Sequence, residues 1–150
     1  QPARIISLSS LAHLRGTIDF EDFHYKKGYN KIAAYGNSKL ANILFTRQLA
    51  HHLKGSSIQV FSVHPGAVYS NLTRYMAPQF VFDYYMRVFM KTTMEGAQTS
   101  IYCATEAKQS DEMYFSDCAV GWALEEAKDD VVADKLWKLS EKLVALHDSK

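Results

Sequence analysis

Near its start the chain carries a short continuous apolar run, RIISLS over residues 4–9. It is rich in β-branched side chains and too short for an amphipathic helix, so it predicts a buried strand. Between 13 and 30 no period holds. Gly16, Asp19, Asp22, Gly28 and Asn30 punctuate aromatic residues there, which predicts a long loop, and loops of that length are commonly functional. From 31 to 54 the period becomes helical: Ala34, Leu40, Ile43, Leu44, Leu49 and Leu53 recur at helical intervals, with Gly55 as the C-cap. A second apolar run, IQVFSV over 58–63, predicts a strand closed by His64, Pro65 and Gly66. Strand, helix, strand in that order predicts a parallel pair joined by a right-handed crossover.

Beyond Gly66 the pattern is less regular. The segment 79–91, QFVFDYYMRVFMK, is aromatic on more than one side. It reads as core packing or as an apolar lid over a lipid-like substrate, with membrane-surface contact as a third reading. Arg87 and Lys91 supply too little charge for electrostatic attachment. Residues 94–107 predict a further helix, 113–115 a short strand, and 130–146 an amphipathic helix with Val131, Leu136, Leu139, Leu143 and Leu146 on one face. There is no internal repeat, linker or low-complexity tract.

Composition narrows the classes. With 47% hydrophobic and 13% aromatic residues in 150, the chain has the material for a core and is not a disordered tail. Seventeen Lys and Arg against sixteen Asp and Glu leave a formal charge of +1, and with no basic block a nucleic-acid partner is not expected. Cys103 and Cys118 form neither a CxxC pair nor a disulfide framework, which fits a reducing compartment. Six histidines fall in no HExxH spacing, so no metal is expected. The chain opens without Met, signal peptide or a run of about eighteen apolar residues, and is expected to be part of something longer.

Candidate chemistry sits at the strand ends. In open parallel sheets, ligands bind beyond the C-terminal ends of the strands, where Ser9, Ser10 and the 64–70 segment fall. The stretch YGNSK puts Tyr35 and Lys39 one helical turn apart, on one face of the helix. Asn42 and Thr46 continue that stripe, which helix packing explains equally well. A free phenol, with a pKa near ~10, is a poor base at neutral pH, and a nearby ammonium favours its phenolate. Lys39 supplies such a charge. A phenol so tuned can take a proton from an alcohol or give one to a carbonyl, and Ser10, ahead of Ser9, can hold the reacting oxygen. His64, beside Pro65, reads as a structural hydrogen-bonder.

An isolated YxxxK is more often an ordinary exposed helix pair. Here RIISLSS, YGNSK and HPGAVYS follow one another in order, and the chain resembles the second half of a short-chain dehydrogenase/reductase. SSLAH, YGNSKLANILFT, SVHPG and YFSDC, spread over most of the chain, are similar to the retinol dehydrogenase-like branch of that family. The resemblance implies the second half of a Rossmann-like, doubly wound parallel α/β sheet. It makes Tyr35 the general acid/base, Lys39 its electrostatic partner and a ligand of the nicotinamide ribose, and Ser10 the donor to the substrate oxygen. Pro65, Gly66 and Val68 would line the nicotinamide. Ser70 stands where the family often has a threonine on the carboxamide.

The resemblance further implies NAD(P)(H), with NADP(H) ahead of NAD(H), and a small apolar alcohol or aldehyde such as retinol or retinal. It also implies a homodimer through the 31–54 helix, membrane association through a preceding segment, and an intracellular site, at the endoplasmic reticulum membrane or in the cytoplasm. The family's TGxxxGxG loop, NNAG stretch and upstream asparagine are not in this sequence. The chain alone is therefore expected to be inactive. The competing expectation is a non-catalytic product that acts by binding or dimerisation.

Overall fold

A computed structural model describes residues 3–69 and 90–148. Its elements run β1 (Arg4–Leu8), α1 (Lys31–His52), β2 (Gln59–His64), α2 (Thr93–Thr105), β3 (Tyr114–Ser116), β4 (Ala119–Val120) and α3 (Asp130–Asp148). The strands lie in the order β1-β2-β3-β4, parallel except for the β3–β4 pair. Arg4 stands opposite Gln59 and Leu8 opposite Val63, so β1 and β2 finish side by side. This is the α/β arrangement expected from the alternation of periods.

β2 is buried along its four central residues, Val60 to Val63, because helices cover both faces of the sheet. Its side chains alternate between two layers. Val60 packs with Ala50 of α1 and with Met113, while Phe61 and Val63 pack with Cys103, Ala107 and Phe115 on the α2 side. A third cluster joins Leu40, Ile43 and Leu44 of α1 to Tyr114, Ala133 and Leu136, and so ties α3 to the rest. Leu44 is 0% exposed. Leu44→Ala is expected to cost about 2–5 kcal/mol of stability, by lost transfer energy and a cavity, measurable as a lowered urea midpoint at unchanged slope.

In this chain Ile5 of β1 is 37% and Leu8 53% exposed. Among the described residues β1 is an edge strand with β2 on one side, and an apolar run cannot tell an edge from a centre. Arg4 anchors it, donating from Nη1 to the carbonyls of Cys103 and Ala107, both at 2.7 Å. Those carbonyls lie in the last turn of α2 and just beyond its C-cap, where a cation is favoured.

The helix expected over 31–54 stops at His52, with Leu53 as its C-cap and Gly55, at φ +88°, in the turn beyond. The loop expected over 13–30 begins with a 3₁₀ turn, Leu11–Arg15. A second 3₁₀ turn, Glu125–Lys128, and the two-residue β4 were not anticipated, since neither is long enough to show a period. Residue 70 and most of the 79–91 segment lie outside the described residues.

Candidate active site

α1 begins at the sheet edge because Asn30 caps it, its Oδ1 accepting from the backbone N–H of Ile32 at 2.9 Å and Ala33 at 3.2 Å. One turn in, the Lys39 ammonium lies 5.4 Å from the centre of the Tyr35 ring. The carbonyl of Leu8, the last residue of β1, receives Lys39 Nζ at 3.5 Å and Asn42 Nδ2 at 2.8 Å. The polar stripe on α1 is thus read out against the strand end. Thr46 is turned inside, its hydroxyl donating back to the Asn42 carbonyl at 2.7 Å.

The two serines part company at the end of β1. Ser9 is 3% exposed; its N–H extends the ladder to Val63 O at 2.8 Å, and its hydroxyl donates to the Lys39 carbonyl at 2.7 Å. It joins strand to helix. Ser10 caps the 3₁₀ turn, its Oγ accepting from Ala12 N–H at 3.2 Å. One lone pair is so engaged, and the hydroxyl hydrogen is left to donate elsewhere.

Two glycines bring that turn onto α1. A Cβ on Gly36 would stand 2.9 Å from the Ala12 carbonyl oxygen, and one on Gly16 2.7 Å from the Gly36 carbonyl oxygen. Backbone therefore meets backbone beside Tyr35. Asn37, the next residue of YGNSK, holds the following loop: its Oδ1 accepts from Thr17 N–H at 3.0 Å and its Nδ2 donates to Tyr25 Oη at 2.9 Å. Sequence reasoning passed over both. A glycine inside a helical pattern is the signal that marks such a close approach.

The strand end of β2 supplies the other wall. His64 is half-buried, and its Nδ1 accepts from Leu11 N–H at 3.3 Å. Gly66, at φ +89°, passes under the Lys91 side chain, whose Cδ would lie 2.9 Å from a Cβ there. Lys91 forms an ion pair with Asp117, just past β3, and its backbone pairs with the 67–69 segment through Lys91 N–H to Ala67 O at 2.8 Å and Tyr69 N–H to Lys91 O at 2.9 Å. Gly96 of α2 accepts Val68 so closely that a Cβ there would meet Val68 Cγ2 at 2.4 Å. The Lys91–Asp117 clasp joins residues too far apart in sequence to have been anticipated.

Between these walls lies a cleft of about 550 Å³, lined among others by Ser10, Tyr35, His64, Gly66 and Val68. Of the candidate residues, Ser10, Tyr35, Gly66 and Val68 thus share one cavity. Lys39 stands behind Tyr35 at the end of β1, and Pro65 sits between two lining residues without lining the cleft itself. Ser70 is outside the described residues. The arrangement brings two hydroxyl-bearing side chains to one cleft at the edge of a parallel sheet, with an ammonium beside the ring of one of them.

Burial pushes the pKa values of His13 and His64 below the ordinary 6.5, although the Ser10 carbonyl opposes the shift at His13 and the Asp117 carboxylate at His64. The unfolded chain then takes up protons before the folded one. Stability contributed by these imidazoles is present above about pH 6.5 and is lost as the pH falls below it. Melting temperatures measured from pH 7.5 down to 5 are expected to decline, and less steeply in His64→Gln.

A sequence profile described as short chain dehydrogenase matches residues 24–79. Over 147 residues the chain is 46% identical to retinol dehydrogenase 11 of Mus musculus, an alignment that takes in 97% of this chain and 46% of that protein. Identity to retinol dehydrogenase 12 of Homo sapiens is 40%, over the same shares. The chain spans about half the length of the curated relatives it matches. The crystal structure of an uncharacterized protein from Mycobacterium paratuberculosis matches with a TM-score of 0.72 at 29% identity, covering 94% of this chain and 50% of that one.

Proposed function

We propose, from the premise that the chain belongs to the short-chain dehydrogenase/reductase family and is similar to its retinol dehydrogenases, that it is the catalytic C-terminal half of a nicotinamide-dependent oxidoreductase. The reaction is the interconversion of an alcohol and an aldehyde or ketone on an apolar, retinal-like substrate. The observation that supports it best is the meeting of Ser10, Tyr35 and Lys39 where β1 and β2 end. NADP(H) ahead of NAD(H) rests on the branch resemblance.

The donor set fits the nicotinamide end of such a coenzyme: a hydroxyl from Tyr35, an ammonium from Lys39 and a backbone wall from Gly66 to Val68. The pyrophosphate cradle would come from a preceding half, since no TGxxxGxG loop is in the sequence. The coenzyme, when bound, gives or takes a hydride at its nicotinamide C4. In this reading Ser10 donates to the carbonyl oxygen and fixes its orientation. Tyr35 delivers the proton to that oxygen as charge develops on it, or removes it in the reverse direction. Lys39, held by the Leu8 carbonyl, supports the tyrosine and binds the ribose.

The pairing of two copies through α1 belongs to this proposal too; Phe45, stacked at 5.5 Å on Trp137 of α3, is 44% exposed on that helix. No helix among the described residues is long and apolar enough to cross a membrane. A non-catalytic product acting by binding or dimerisation has no observation in its favour that the enzyme does not share.

The test is an assay of the chain joined to its preceding half, with NADPH and a long apolar aldehyde. Aldehyde-dependent loss of absorbance at the reduced coenzyme's band is expected, and its absence with every apolar aldehyde and both coenzymes overturns the reading. The 150-residue chain by itself is expected to give no change in NADPH fluorescence on titration, because the pyrophosphate lacks its N–H donors. Saturable binding to the chain alone would place the coenzyme site in the wrong half.

A further inference from the structure

We propose that His13 is a positioning residue for Ser10, its imidazole fixing the turn that presents the Ser10 hydroxyl to the cleft. The inference rests on the oxidoreductase reading above. His13 is 0% exposed, and both ring nitrogens are engaged. Nδ1 lies 2.7 Å from the Ser10 carbonyl oxygen, and Nε2 receives the N–H of Leu124 at 3.2 Å. A carbonyl only accepts and a backbone N–H only donates, so the hydrogen is on Nδ1 and the lone pair on Nε2. The ring packs on Tyr114 of β3, centroids 4.8 Å apart at 60°.

The Ser10 turn needs such a hold. Behind it, Ser9 is fastened to β2 and α1. Ahead of it, Gly16 is packed on Gly36. Between these points Ala12 packs on Gly36, and the turn's hydrogen bonds to distant parts of the chain, among the described residues, are the longer Leu11 N–H to His64 Nδ1 bond of 3.3 Å and the His13 bridge to residue 124. The bridge runs from the serine's own carbonyl to the segment that follows β4. Ser10 is therefore set through one imidazole whose tautomer is fixed, and that imidazole is held by a backbone N–H 111 positions from it in sequence.

Two near-isosteres separate the bonds. The amide nitrogen of asparagine falls near the place of Nδ1 and can keep the Ser10 bond; the amide of glutamine falls near Nε2 and can keep only the Leu124 bond. In the protein completed by its preceding half, His13→Gln is expected to lower kcat/KM for aldehyde reduction at least about 10-fold, chiefly in kcat. His13→Asn should stay within about 3-fold of wild type, though both variants melt lower. In a Ser10→Ala background, His13→Gln should add less than about twofold, because a group acting through Ser10 has nothing left to position. Equal losses in Asn and Gln variants, or full additivity on Ser10→Ala, overturn the positioning role while leaving the oxidoreductase reading intact. A wild-type protein without coenzyme-dependent turnover overturns both. The nitrogen-15 shifts of the wild-type imidazole give a readout that needs no variant to fold: a protonated Nδ1 with bare Nε2 is expected, and the other tautomer, or rapid exchange between the two, refutes the inference.

Discussion

Tyr35→Phe, in the protein completed by its preceding half, is expected to lower kcat for aldehyde reduction by about 10²–10⁴-fold, the span of a lost general acid, with coenzyme binding largely intact because Lys39 and the Gly66–Val68 wall remain. The substitution removes one oxygen and leaves the ring that packs beside Lys39, 5.4 Å from its ammonium. Ser10, Gly66 and Val68 keep their places around the cleft. Stopped-flow turnover together with coenzyme titration separates the two effects. A Phe variant within a few fold of wild type would remove Tyr35 from proton transfer. One that turned over normally at saturating coenzyme but bound it weakly would make Tyr35 a binding residue instead.

Gly36→Val is expected to be nearly as damaging by a different route. Its first side-chain carbon would stand 2.9 Å from the Ala12 carbonyl oxygen and 3.4 Å from the Gly16 nitrogen. These are backbone atoms and cannot rotate aside. The 3₁₀ turn and α1 must separate, and Ser10 moves away from Tyr35. Overpacking of this kind costs about 1–3 kcal/mol or more, and a displacement of about 1 Å at the reacting groups can cost about 10²-fold in rate. Thermal melts and turnover should both fall. Ala12 offers its backbone there, so trimming that side chain should not rescue the variant. Full activity in Gly36→Val would mean that the turn is not what places Ser10.

What the sequence discloses depends on the range of the interaction that fixes each part. α1 and α3 show their period over several turns and β2 its short apolar run, so the elements were legible, as was the one-turn spacing of Tyr35 and Lys39; the face of α3 was read less well, since Val131 is 76% exposed while Ala133 and Leu136 are buried. β1 is partly exposed in this chain because β2 alone flanks it among the described residues, and a local apolar pattern does not report a strand's neighbours. Ser9 turns toward the Lys39 carbonyl and Ser10 toward the cleft, a parting that the sequence of two adjacent serines does not announce. The supports of the cleft stayed hidden because each joins segments remote in sequence: Gly16 to Gly36, His13 to residue 124, and Lys91 to Asp117. Gly36, the second residue of YGNSK, was the one local trace of them.

Hydride transfer can be followed by its label. With NADPH carrying deuterium on one face of nicotinamide C4, the completed protein is expected to reduce a retinal-like aldehyde to an alcohol with deuterium on its carbinol carbon. The opposite face should transfer none, and Tyr35→Phe should leave both coenzyme and aldehyde almost untouched. Product mass spectrometry reads each case in one run. If the wild-type alcohol carries no label from either face, or the coenzyme is not consumed at all, the cleft beyond β1 and β2 is not a site of direct hydride transfer.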